Sequence, residues 1–92
     1  MAEAEALLSG ETELAATNTA QKLTAESHLV TGLLVRATKA NAAVVRIGSS
    51  TVGAESYALE AGESVQFDVI DPVRVYLYGK EHDKVSYLGL TP

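Results

Sequence analysis

The sequence predicts an all-β fold: a small antiparallel β-sandwich, jelly-roll-like, of about seven short strands, with an N-terminal arm that is extended or partly helical. Two observations carry this. After Gly10, apolar and polar residues alternate at period two in one run after another, as half-buried strands require. The runs recur at intervals of roughly ten residues, separated by Gly, Pro, Asn and Ser, and none shows the 3.6-residue period of a helix.

The stretch from Leu59 to Leu77 shows the pattern best. Val65, Phe67 and Val69 alternate with Gln66 and Asp68. After Ile70-Asp71-Pro72, Val73, Val75 and Leu77 alternate with Arg74 and Tyr76. Pro72 has no amide donor, so it suits the turn or the start of the second strand. The pair reads as two strands sharing one turn, with Phe67, the one phenylalanine, as a central core residue.

Taken in order, residues 1–18 differ from the rest. Ala2 to Leu8 is rich in helix formers and Gly10 is placed as a stop. Thr12 to Gln21 is mostly Ala, Thr and Asn, with Leu14 its one large apolar residue. This segment is expected to lie beside the sandwich as an arm, with residues 19–92 forming the sandwich. A short strand is expected around Gln21 to Thr24, with a loop through Ser27-His28. Gly32 to Thr38 and Val44 to Ile47 read as a hairpin across Lys39-Ala40-Asn41-Ala42. Tyr57-Ala58-Leu59 reads as a short edge strand, and Val85 to Leu90 closes the sheet.

At 92 residues the chain is one small domain, and without cysteine it has no disulfides to staple it, so oligomerisation becomes an obvious source of stability. The net charge of −5 argues against a nucleic-acid partner, which needs clustered Lys and Arg. No apolar run nears the roughly 18 residues of a membrane span, and the acidic start is unlike a basic secretory signal, so neither membrane nor secretion is expected.

No catalytic constellation emerges, and no enzyme is expected. His28 and His82 fall in polar loops and read as surface residues. Ser49-Ser50-Thr51 lies in a Gly-bounded loop that turn chemistry explains, without the lysine of a phosphate loop. Asp68 and Asp71 suit an outward strand position and a turn start better than a calcium site. No cofactor or metal is expected. Tyr76 and Tyr78 share the face opposite Val75 and Leu77. A pair of outward tyrosines offers a protein contact, a sugar platform, or a surface covered by the arm.

Several runs resemble small virion structural proteins of tailed bacteriophages: Gly32-Leu33-Leu34-Val35-Arg36-Ala37, Val45-Arg46-Ile47-Gly48 with Ser50-Thr51-Val52, Leu59-Glu60-Ala61-Gly62-Glu63-Ser64-Val65, Val73-Arg74-Val75-Tyr76 and Val85-Ser86-Tyr87-Leu88. The resemblance covers roughly residues 20–90 and rests on turn and strand signatures. It implies a β-sandwich with a structural role, expected to be a capsid decoration (cement) protein on the outside of the head. Its partner would be the major capsid protein, its own state a homo-oligomer with a trimer favoured, and its place the virion, assembled in the host cytoplasm. A neck, head–tail or fibre-base component is the near alternative, and a carbohydrate-binding module the alternative of another class. On this reading the partner-binding residues are Glu3, Glu5, Leu7, Leu8 and Leu14 of the arm, with Tyr76 and Tyr78.

Overall fold

Residues 6–25 and 30–91 are described by a computed structural model. They form eight strands and no α-helix: β1 (Ala6–Glu13), β2 (Gln21–Lys22), β3 (Val30–Ala37), β4 (Val45–Gly48), β5 (Tyr57–Leu59), β6 (Ser64–Ile70), β7 (Tyr76–Tyr78) and β8 (Lys84–Thr91). Two four-stranded sheets result, in the orders β1-β8-β3-β6 and β2-β7-β4-β5, every pair antiparallel.

That order has a simple origin. β1 pairs with β8, β2 with β7, β3 with β6 and β4 with β5, as if one long hairpin had its apex between β4 and β5. Rolling the hairpin up adds the pairs β3·β8 and β4·β7. The product is a jelly roll, so the expected class holds and becomes specific. The two expected hairpins do not form. β3 and β4 lie in different sheets, as do β6 and β7. Alternation tells which side chains point inward but not which strand lies alongside, and here the connections cross from one sheet to the other.

The crossing between β6 and β7 shows how the sequence does this. Asp71 caps a 3-10 turn over Pro72–Arg74, its Oδ1 accepting from the Val73 N–H at 3.1 Å. Pro72 occupies the first turn, where its missing N–H costs nothing, and its ring is buried. Val75 and Leu77 then face the interior of the second sheet, 2% and 0% exposed.

The N-terminal segment is extended, one of the two expected forms, but it is not an arm beside the sandwich. Ala6–Glu13 is an edge strand, paired with β8 from Ala6↔Thr91 to Glu13↔Lys84. Gly10 is no helix stop. It sits mid-strand opposite Tyr87, whose ring fills the space: a Cβ at Gly10 would lie 2.6 Å from the tyrosine oxygen. Leu14 is completely buried, with its N–H bonded to the Asp83 carbonyl and its carbonyl to the His82 N–H. It plugs the end of the interior where the chain leaves the first sheet.

The core consists of Leu14, Leu23, Val30, Leu33, Val35, Ala37, Val45, Ile47, Leu59, Val75, Leu77 and Val85, with Leu8, Val65, Phe67, Ile70 and Tyr87 packed against it but partly exposed. Phe67 therefore lies at the margin of the core and not at its centre, because β6 is an edge strand.

Candidate functional site

The first sheet presents its outer face as an ordered grid. Inward positions on β3 and β8 (Leu33, Val35, Val85) are buried, so their neighbours in sequence point out. Register places Ser9, Leu88, Leu34 and Gln66 in one row across β1, β8, β3 and β6. The next row is Glu11, Ser86, Arg36 and Ser64, and beyond it Glu13 pairs with Lys84. On the other side of the leucine row, Leu90 faces Thr31. Gly32, at φ +62°, stands where the β3·β8 register shifts between Thr31 and Leu34, a backbone region that favours glycine.

This face is polarised. Leu34, Leu88 and Leu90 are 36%, 43% and 42% exposed and adjoin one another on the two central strands. At the other end lie Glu11, Arg36, Glu13 and Lys84, all exposed. An apolar cluster beside a charged border is the composition of a protein-docking surface: apolar area supplies affinity, and the charges supply register.

The expected partner-binding residues distribute differently. Glu3 and Glu5 lie outside the described residues, as does His28. Leu7 is in β1, opposite Leu90 in the backbone register. Leu8 packs against the core, and Leu14 is inside it, so neither offers a contact surface. Tyr76 and Tyr78 do share the outer face of the second sheet, opposite Gly48 and Arg46. Each is half-buried, however, and they line different depressions: Tyr76 one with Lys22, Ser50 and Arg74, Tyr78 one with Thr17, Asn18 and Lys80. They form no continuous platform. Of the expected arm, β1 belongs to the other sheet, whereas Thr17 and Asn18 beyond it border Tyr78.

The remaining polar residues serve the framework. Ser49 Oγ lies 3.0 Å from Thr51 Oγ1, and the Ser49 carbonyl accepts from the Val52 N–H, which is turn chemistry. Asp68 is exposed, Asp71 caps its turn, and among the described residues no three His, Cys, Asp or Glu side chains gather in a metal-ligating group. Asp83 was not legible as important in the sequence, yet it is buried, its two carboxylate oxygens accepting from the Ala42 and Ala43 N–H groups at 2.8 and 2.9 Å. It fixes the β3–β4 connection to the β7–β8 loop. Beside it, His82 Nδ1 lies 2.8 Å from Glu13 Oε2, at the surface. The hydrogen bond to Glu13, followed by the charge of Glu81, raises the imidazole pKa above its ordinary value. The bond to His82 lowers that of Glu13.

No protein-family model, curated protein or solved structure matches this chain.

Proposed function

We propose that the protein is a phage virion structural protein, a capsid decoration (cement) protein that binds the outside of the head and bridges capsid subunits. The observation that carries this reading is the leucine patch of Leu34, Leu88 and Leu90 on the outer face of a jelly-roll sheet, bordered by charge. A non-catalytic docking module needs such a surface. The jelly roll itself serves viral shells and lectins alike, and so supports the reading only by analogy.

Mechanistically, a module that binds the assembled shell and not its free subunits shifts the equilibrium toward the shell by mass action. Many copies across a lattice sum small contributions, so each contact is allowed to be modest. The partner is the major capsid protein. A trimer around a symmetry axis of the shell is the favoured oligomer, since a small cysteine-free sandwich gains stability from neighbours. Sedimentation of the isolated protein at high concentration checks that part, and a monomer would remove it.

The docking test uses purified protein and empty heads assembled from the cognate major capsid protein. The wild type should co-sediment with the heads and raise their melting temperature. Leu34→Thr with Leu88→Thr should keep the domain's own melting temperature, because β-branched threonine suits an exposed strand, and should lose binding. Undiminished binding by the double variant would remove the leucine face as the docking surface; no binding by the wild type would remove the decoration reading itself.

A further inference from the structure

The interior of the sandwich is open on one side. Ile47 and Tyr57 are cross-strand partners on β4 and β5, so both point toward the first sheet. Ile47 is 6% exposed, whereas Tyr57 is 62% exposed. β5 and β6 are edge strands of their sheets. Val65 and Phe67 also point inward, opposite Val35 and Leu33, yet are only partly buried. Between them runs a cleft of about 340 Å³ lined by Ile47, Tyr57, Val65, Phe67, Ile70 and Val75.

Ser49 and Arg74 stand at its mouth and also line a neighbouring polar cleft with Lys22, Ser50 and Tyr76. Among the described residues the combined lining holds two cations and no carboxylate, in a chain with 12 acidic residues against 7 basic ones. Among the described residues no carboxylate lies within ion-pair distance of the Arg74 guanidinium. The apolar cleft and the cationic vestibule thus adjoin at two shared residues.

We propose that this cleft binds a small amphipathic anion, an aliphatic carboxylate of medium length, with its chain between the sheets and its head group against Arg74 and Lys22. Size sets the class. At about 30 Å³ for a methylene-sized group, close to the share of one water in the liquid, the cleft holds roughly ten such groups. The arrangement is that of small-molecule sites generally: mostly apolar walls with a few convergent polar groups that fix orientation. Charge sets the sign, since a guanidinium with no carboxylate partner among the described residues, beside an apolar slot, favours an anionic head over a neutral or cationic one. This site is independent of the docking face. It opens between the sheets, whereas the leucine patch lies on the outer side of one of them.

The experiment is a two-dimensional amide NMR titration of the full chain with decanoate below its micelle concentration, with decyltrimethylammonium as the same chain bearing opposite charge. Saturable decanoate shifts should appear at Ile47, Val65, Phe67 and Val75, with decyltrimethylammonium bound at least several-fold more weakly. Arg74→Gln, at an exposed position that leaves the fold intact, should weaken decanoate roughly fivefold. Tyr57→Ala should weaken both amphiphiles alike through lost apolar contact. Equal binding of the two amphiphiles, decanoate affinity unchanged in Arg74→Gln, or shifts centred on Leu34, Leu88 and Leu90 would each overturn the proposal. So would the lack of any saturable shift.

Discussion

The two ends of the interior are built from the same alternating pattern and end in different states. At one end Leu14, Leu23, Leu77 and Val85 are at most 1% exposed, enclosed by the chain crossing from β1 to β2 and by the β7–β8 loop. At the other, between the edge strands β5 and β6, Tyr57, Val65, Phe67 and Ile70 point inward but remain partly in water. Sequence pattern decides the face of a side chain. Coverage by the opposite sheet decides whether that face is dry. An inward-pointing residue on an edge strand is therefore a wall, and one on a central strand is core.

The strongest way to break this contrast is at the closed end. Deleting residues 1–14 removes the edge strand β1 and the Leu14 plug together. The truncated chain should show no cooperative melting transition at room temperature, since exposing this core removes much of the 5–15 kcal/mol typical of a domain. A cooperative melt near the full-length midpoint would show that the first sheet closes without β1.

Single substitutions should then grade the two ends. Leu14→Ala and Leu77→Ala are each expected to cost about 2–5 kcal/mol, measured by denaturant unfolding. Phe67→Ala should cost less, about 1–2 kcal/mol, because part of its ring is already in water. Equal losses for Phe67 and Leu77 would mean that the open end is closed in solution. Tyr57→Ala should change stability by less than about 0.5 kcal/mol.

The smallest expected effect is electrostatic. Glu13 of β1 and His82 of the β7–β8 loop form a surface clasp beside the closed end. The raised His82 pKa means its share of stability is present at acidic pH and lost as pH rises through the folded imidazole's titration. Glu13, lowered, contributes above its ordinary titration and loses that share as pH falls through the folded value. The clasp therefore holds in the window between the two folded-state titrations. Glu13→Gln should bring the His82 midpoint down toward the ordinary imidazole value, as followed by its ring proton shifts. An unmoved midpoint would assign the perturbation to Glu81.

Seven of the eight strands were legible in the sequence because period-two alternation is a local signal, though β7 begins only at Tyr76, since Val73 and Arg74 belong to the 3-10 turn and not to the expected strand. β1 was not, for a physical reason. Its inward positions are Leu8, Gly10 and Thr12, a mixture imposed by the Tyr87 ring lying over Gly10 and by the Thr12 hydroxyl bonding across to the Leu23 carbonyl. The strand is held by backbone pairing to β8 and leaves little apolar trace. Strand partners were illegible throughout, since alternation carries no information about which ribbon lies alongside. Of the candidate docking residues, the leucine face left a readable sign: Leu33-Leu34 and Leu88-Gly89-Leu90 place leucine on outward positions where a solvated strand would carry polar residues. The tyrosine pair was placed on the right face, but its separation into two depressions depends on loops whose path the sequence does not specify.

The rolled-hairpin topology also sets an order in time. Only β4 and β5 are joined by a local turn; each further pair outward links segments farther apart, ending with Ala6 against Thr91. Loop closure is least costly at the apex and becomes affordable for outer pairs only after the inner ones form. On the ribosome, β1 emerges before the other seven strands yet has no partner until β8 has been synthesised, so it is among the last of them to be secured. Folding is thus expected to proceed from the β4–β5 apex outward, with β1 and β8 pairing last.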